Sequence, residues 1–281
     1  MSVAESLSAW LRKVRYHPLI LRIAKTMGVK RQARKIYSWM SCRINRKIRI
    51  SLCGYSAEFH VTSPRELAFL EDELLDVRVG EVVALEKLLA NLGTDDVAYD
   101  IGASLGTHAL FMARKVGPEG CVVAFEPQTK NYAKLIANAN LNDLKNIRSF
   151  RLAVGRRSGK MGLYGCSEDD FGLFSMTRAE GSRWNEDVEM VHGDAFVHDH
   201  RLPLPHVVKI DVEGYEYDVL RGLQNTLSRE RCRLVFCEIH PTMLPREVTS
   251  EEVFSLLRSC GYVRAETFPR RHEIHAFFTR R

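Results

Sequence analysis

The chain has 281 residues, 45% of them hydrophobic and 27% charged, with a formal net charge of +6. That length accommodates one large domain or one domain with an appendage, and the composition is that of a globular protein, not of a disordered or fibrous one. No run of about 18 apolar residues occurs and the first residues lack an apolar h-region, so neither a membrane-spanning helix nor a secretory signal is expected.

The charge is unevenly placed. Between Glu5 and Glu58 there is no acid, and thirteen Lys and Arg lie from Arg12 to Arg49; the rest of the chain carries 28 bases against 35 acids, a net of −7. In this basic stretch Leu11 and Val14 begin a helical spacing, Pro18 breaks it, and Leu19, Ile20, Ile23, Ala24 and Met27 resume it until Gly28. Residues 1–50 are therefore expected to be a basic helical N-terminal segment. It either packs on the main domain or docks, through residues 10–50, on an anionic membrane surface or a charged polymer. It contains no recognised nucleic-acid module, so no specific nucleic acid is expected.

Next, "IRISLCGYSAEFHV" predicts a β-hairpin with Gly54 at its turn. "SPRELAFLEDELL" predicts a helix with Ser63 as N-cap, Pro64 at the first position and Glu66 at the third. "GEVVALEKLLANLG" predicts an amphipathic helix ended by Gly93. The period then changes. "DVAYDIG", "GCVVAFEP" and "NIRSFRLAV" read as strands separated by the helices "GTHALFMARKVG" and "QTKNYAKLIANANLND", a β-α-β-α-β series that requires a parallel sheet covered on both faces. Glycine breaks and short alternating runs over about 156–205 predict an antiparallel insertion. Its "FGLFSM", Phe171 to Met176, is read as a cleft wall, or else Phe171, Phe174 and Trp184 form a small core. "HVVKIDVEG" and "CRLVFCEIHP" are further parallel strands, with the helices "YEYDVLRGLQNTL" and "TSEEVFSLLRSCGY" after them and Thr249 or Ser250 capping the latter. "HEIHAFFTRR" is the last strand. The fold class is thus α/β, a Rossmann-like doubly wound, mostly parallel sheet with an antiparallel insertion and a basic N-terminal segment.

Seven cysteines, Cys42, Cys53, Cys121, Cys166, Cys232, Cys237 and Cys260, form no CxxC pair and are odd in number. Reduced, mostly buried thiols in a cytoplasmic protein are expected, with no disulfide framework and no zinc cluster.

In a doubly wound sheet, ligands bind at the carboxyl ends of the strands. Four predicted strands end in an acid: Asp100, Glu126, Asp211 and Glu238. Buried acids are costly unless paired, so four together point to a site. The turn after Asp100 reads Gly102-x-x-x-Gly106. It is neither a dinucleotide fingerprint nor a phosphate loop, and a leading carboxylate repels phosphate. It suits a cationic group, while Glu126 one strand later suits the hydroxyls of a ribose. An adenosine bearing a sulfonium, S-adenosyl-L-methionine, satisfies both acids.

The stretches "DIGASLGTHALFMAR", "VVAFEPQTKNYAKLIANANLN", "VVKIDVEGYEYDVLRG" and "FCEIHP", from Tyr99 to Glu238 and just beyond, resemble the FkbM family of S-adenosylmethionine-dependent methyltransferases. The family commonly has Asn where this chain has Ser104. The resemblance implies a methyltransferase domain over 51–281 and O-methylation of a hydroxyl on a glycan or secondary metabolite. Cofactor contacts are then expected from Asp100, Gly102, Ala103, Ser104, Gly106, Thr107, Glu126, Pro127, Ala153 and Asp211, with Leu152 beside the adenine. Asp211, Glu213, Glu238 and His240 are the candidate catalytic residues, with Glu213 either a base or a cap for the following helix. These acids and the histidine would also suit a divalent metal, and the metal-free acid–base reading is preferred. His108 is read as a packing residue. The alternatives are a methyltransferase acting on RNA or protein docked by the basic segment, and a binding domain without activity. A cytoplasmic protein, peripheral at the inner membrane surface if the segment docks there, is expected.

Overall fold

The computed structural model describes residues 47–74, 81–165, 174–176, 182–270 and 272–280. The predicted basic helices before residue 47 and the wall residue Phe171 lie outside the described residues.

β1 (Lys47–Leu52) and β2 (Tyr55–His60) form the expected hairpin, so it starts before the boundary at residue 50 that the charge pattern suggests. Its turn residues Cys53 and Gly54 both have positive φ, 53° and 81°, as a two-residue hairpin turn requires. In α1 (Pro64–Ala68), Ser63 accepts the Glu66 N–H at 3.2 Å, while the Glu66 carboxylate accepts the Thr62 N–H at 2.7 Å. A π-helical turn (Phe69–Glu73) follows, and α2 spans Glu81–Ala90.

The central units are β3 (Val97–Ile101), α3 (Thr107–Val116), β4 (Cys121–Phe125), α4 (Thr129–Leu141) and β5 (Ile147–Phe150). Then come β6 (Ala153–Gly155), β7 (Gly159–Gly165), β8 (Phe174–Ser175), β9 (Arg183–His192) and α5 (Gly193–Asp199). The chain returns to the main sheet with β10 (Val207–Ile210), α6 (Glu216–Gly222), α7 (Gln224–Leu227), β11 (Leu234–Ile239), α8 (Ser250–Ser259), β12 (Arg264–Arg270) and β13 (Glu273–Thr279).

Among the described residues, the main sheet has seven strands in the order β12-β13-β11-β10-β3-β4-β5. β11, β10, β3, β4 and β5 are parallel, and β13 and β12 add antiparallel at one edge. Chain order runs outward from β3 in one direction and from β10 in the other, so the topological switch lies between these two strands. One face packs Ala98, Val207 and Phe236 against Leu85 and Leu88 of α2 and Leu110 and Phe111 of α3; the other packs Tyr99, Ile210 and Val235 against Val219, Leu220, Val253 and Leu257. Each Val, Leu, Ile or Phe among them, fully buried, contributes about 1.5–3 kcal/mol by removal from water. Asn138 and Asn142 of α4 accept the backbone N–H groups of His60 and Glu58 at 2.8 Å each, which docks the hairpin edge on the domain.

Four expectations change. The predicted third strand divides: β5 ends at Phe150, and Ala153 begins β6 in a separate four-stranded sheet of order β6-β9-β7-β8. That sheet is antiparallel except where β6 runs parallel to β9, and the helix α5 occupies the end of the region expected to be purely antiparallel. Trp184 is 61% exposed and belongs to no core; Ala153, Leu163, Val188, Met190 and Tyr215 form the small core, with Phe174 and Met176 packed against it. Finally, β12 has no counterpart among the predicted strands. Its sequence "RAETFPR" lacks a regular apolar alternation, and a proline is tolerated because the strand is an edge.

Candidate active site

A cleft open to solvent lies at the carboxyl ends of β3, β4 and β10, on the switch between strands. Ile101, Gly102 and Ser104 form one wall, Phe125, Glu126, Pro127 and Asn131 a second, and Leu152, Ala153 and Val154 a third. Leu163, Phe174 and Met176 of the small sheet and Asp211, Val212 and Glu213 after β10 complete it. Of the predicted cofactor residues, Gly102, Ser104, Glu126, Pro127, Ala153 and Asp211 line the cleft; Asp100, Ala103, Gly106 and Thr107 stand behind its surface. Of the predicted catalytic residues, Asp211 and Glu213 reach the lining, and Glu238 and His240 are buried beside it.

The glycine turn is built by close approach. Gly102 has φ 79°, and a Cβ there would lie 1.8 Å from the Asp211 carbonyl oxygen. Only a residue without a side chain lets the β3 turn and the end of β10 touch backbone to backbone. Ser104 also sits in the left-handed region, at φ 49°, a conformation that Asn tolerates better than Ser. This is the physical sense of the Asn at that position in the resemblance. The Ser104 N–H donates to Glu126 Oε2 at 2.8 Å, and the Gln128 N–H donates to Oε1 at 2.9 Å. Burial pushes the Glu126 carboxyl up to about 7, with these two N–H groups pulling the other way.

Asp100 is fully buried, and Lys209 Nζ lies 3.3 Å from its Oδ1. The same ammonium donates to the Gly102 carbonyl at 2.7 Å and lies 3.4 Å from Asp211 Oδ2. Burial alone would lower the Lys209 pKa, but Asp100 and Asp211 outweigh it and hold the group charged. Burial is the largest single effect on Asp211 and pushes its pKa up, but Lys209, His240 and His108 together outweigh it and hold that carboxyl below its ordinary value. The positive charge that the sequence pattern assigns to a ligand of Asp100 is thus met, at Asp100, by the protein's own lysine.

Beyond Asp211, the chain turns through Glu213, φ 51°, and Gly214, φ 94°. Glu216, fully buried, accepts the Gly214 N–H at 2.8 Å and the His240 Nδ1–H at 2.7 Å through one oxygen, Oε1. His240 Nε2 is thereby turned toward Glu213, 3.4 Å from its Oε2. Burial opposes charge on His240, yet the Glu216 hydrogen bond and the Glu213 carboxylate push it up to about 10. Burial pushes Glu213 up to about 8, with His240 opposing and Asp211 adding to the rise. Glu238 contacts Arg270 at 3.4 Å and His275 at 3.2 Å, and its Oε1 lies 4.0 Å from His240 Nε2. His108 is buried in the first turn of α3, 3.5 Å from Glu81 Oε2. Asp211, Glu213 and His240 bring donor atoms within 4.8 Å of one another, a set that has the reach for a metal ion.

Lys209 and Glu216 hold the buried charges beside the cleft in place, and sequence reasoning passed over both. The signal for the first was a lysine inside the apolar run "HVVKI"; the second lay among three acids in "EGYEYD" with nothing to single it out.

The chain is 29% identical over 226 residues to the hexuronic acid methyltransferase AglP of Haloferax volcanii, a match covering 79% of this chain and 88% of the relative. It is similar to the crystal structure of an FkbM methyltransferase from Methylobacillus flagellatus, with 14% identity and a TM-score of 0.46 over 67% of this chain and 44% of that one. A SAM-dependent methyltransferase from Agrobacterium tumefaciens aligns with 10% identity and a TM-score of 0.49 over 84% of this chain and 71% of that one. Residues 100–264, more than half of the chain and the part that builds the cleft, match the model of the methyltransferase FkbM domain, and the chain belongs to that family of methyltransferases.

Proposed function

We propose that the protein transfers a methyl group from S-adenosyl-L-methionine to a hydroxyl of a glycan or a secondary metabolite. The observation that carries this reading is the make-up of the cleft at the switch point: its described lining contains Glu126, Asp211 and Glu213 and neither Lys nor Arg. Such a lining fits an uncharged or cationic ligand and repels phosphate. Glu126 uses one lone pair on each oxygen for backbone N–H groups, which leaves acceptor capacity for two ligand hydroxyls. Leu152, Ala153 and Val154 offer an apolar wall to a base. The glycan class is supported by the likeness to a hexuronic acid methyltransferase.

The sulfonium of the bound donor supplies a methyl group already activated for in-line displacement, so the chain's task is alignment and proton acceptance. Asp211, ionised beside Lys209, orients the reacting hydroxyl at the cleft wall. Glu213 takes its proton: a carboxyl raised to about 8 is matched to a weakly acidic partner near neutral pH. His240, charged between Glu216 and Glu213, stabilises the ionised Glu213 and is fixed in direction by Glu216.

Calorimetry with the purified full chain is the test. Micromolar-range binding of S-adenosylmethionine is expected, together with its loss in Glu126→Ala. Absence of binding, or a Glu126→Ala variant indistinguishable from wild type, refutes the assignment. Hydroxyl acceptors, hexuronates among them, are then screened with labelled methyl donor.

A further inference from the structure

The turn that carries Glu213 is held in a conformation that its own sequence disfavours. Glu213 has φ 51° and Gly214 φ 94°, so two successive residues are left-handed and the first of them has a side chain. A residue with a Cβ keeps that geometry only where its surroundings over-determine it. Here they do. A Cβ on Gly102 would lie 1.8 Å from the Asp211 carbonyl oxygen, and a Cβ on Gly214 would lie 2.5 Å from the Met243 carbonyl oxygen. The segment from Asp211 to Gly214 is thus packed backbone to backbone at both ends.

The peptide group between Glu213 and Gly214 is gripped on both of its polar atoms. Its N–H donates to Glu216 Oε1 at 2.8 Å, the same oxygen that accepts from His240. Its carbonyl accepts the hydroxyl of Ser175 on β8. With the plane of this peptide fixed, the Cα–Cβ bond of Glu213 is fixed as well, and its carboxylate is held at the cleft, 3.4 Å from His240 Nε2. Ser175 is buried, 4% exposed, and stands opposite Tyr164 where β8 pairs antiparallel with β7. Its chain neighbours Phe174 and Met176 both line the cleft. Phe174 is seated by a gap in β7: a Cβ on its pairing partner Gly165 would lie 2.6 Å from the ring. One short piece of chain therefore supplies both an apolar wall of the cleft and the hydrogen bond that restrains the turn of Glu213.

We propose that Ser175 is a positioning residue for Glu213, holding the Glu213 carbonyl so that the carboxylate meets an acceptor hydroxyl seated against Phe174 and Met176. The inference rests on the methyl-transfer reading above and adds to it a residue that the cleft lining does not include. Ser175 acts through the backbone of Glu213 and not on the reacting atoms. It carries no charge, so its effect is one of alignment, and a misplacement of about 1 Å at a reacting group costs up to about 10²-fold in rate.

Wild type, Ser175→Ala and Ser175→Thr are compared as full chains, with S-adenosylmethionine as donor and methyl glucoside and methyl glucuronoside as acceptors. Ser175→Ala should lower kcat by about tenfold or more while acceptor KM and donor Kd stay within about twofold of wild type. Ser175→Thr keeps the hydroxyl and should restore kcat to within about threefold. A purely structural hydrogen bond would instead lower Tm in Ser175→Ala by about 2–4 °C and leave kcat at the wild-type value. An unchanged kcat in Ser175→Ala, or an equal loss of kcat in folded Ala and Thr variants, overturns the proposal. Crystal structures of wild type and Ser175→Ala give a readout that needs no acceptor. The Glu213–Gly214 peptide should turn in the variant; an unchanged φ and side-chain position at Glu213 overturns the proposal even if neither glycoside is methylated. Failure of wild type to bind the donor is seen separately by calorimetry and refutes the methyl-transfer reading itself.

Discussion

Replacing Lys209 by Met should damage the protein more than any other single change near the cleft. The substitution keeps an unbranched side chain, one atom shorter, and removes its charge. Asp100 is 0% exposed and neither of its oxygens has a hydrogen-bond partner, so Lys209 Nζ at 3.3 Å is what compensates its charge. Breaking a buried pair by deleting one partner costs about 3–5 kcal/mol, because the other charge is left without compensation. Asp211, 28% exposed in its side chain, loses less, since water reaches it. For a domain of this size a kcal/mol moves Tm by about 2–4 °C, which gives a fall of about 6–20 °C. Urea unfolding followed by circular dichroism measures the loss directly. The double variant Asp100→Asn/Lys209→Met removes both charges and should recover more than half of it. A Lys209→Met cost under about 1 kcal/mol, or a double variant no more stable than the single, would refute the pairing as the source of the stability.

Gly102→Ala has no room, since its Cβ would meet the Asp211 carbonyl at 1.8 Å on a backbone of φ 79°, so soluble yield and Tm should both fall sharply. Ser104→Asn, at φ 49°, should raise stability by under about 1 kcal/mol in a denaturant titration while leaving donor affinity within a fewfold of wild type. Methyl transfer should increase as pH rises through about 8, because ionised Glu213 is the competent base; Asp211, Glu216 and Glu273 raise its pKa from the neighbouring segments and His240 opposes them. Glu213→Gln should flatten that limb of the pH–rate profile and lower the rate by about 10²-fold or more. A pH profile unchanged in Glu213→Gln would move the base to another residue.

Local chemistry was the readable part of this chain. The hairpin with Gly54, the Ser63 and Thr249 caps and the alternating strands and helices from Val97 to Leu141 follow from side-chain period and turn residues, and each is present. Glu126 and Asp211, which line the cleft, were readable as candidate site residues because apolar runs rarely end in acids. The partners of those acids were not. Lys209 meets Asp100 because β10 lies beside β3 in register, and Glu216 meets His240 across the α6–β11 packing. Register between distant strands leaves no periodic trace in one sequence. The placement of Glu238 is of the same kind: it contacts Arg270 and His275 across the antiparallel edge, and β12 itself was hidden by its polar composition. Among the described residues Cys53, Cys121, Cys232, Cys237 and Cys260 are free thiols, as their spacing suggested.

The Lys209 contact also has a consequence in time. Its partner Gly102 stands 107 residues earlier in the chain. At a synthesis rate of about 5–20 residues per second, Asp100 and the glycine turn leave the ribosome roughly 5–20 s before the lysine that neutralises them. Until then β3 has a free flank and carries a carboxylate that resists being buried. β3 can therefore pair with β4 early but cannot be sealed on its other side. The closing of the sheet at β10, the seating of Asp100 and the shaping of the cleft become one late step of folding, and an aborted chain ending before residue 209 lacks the cleft wall that Asp211, Val212 and Glu213 supply.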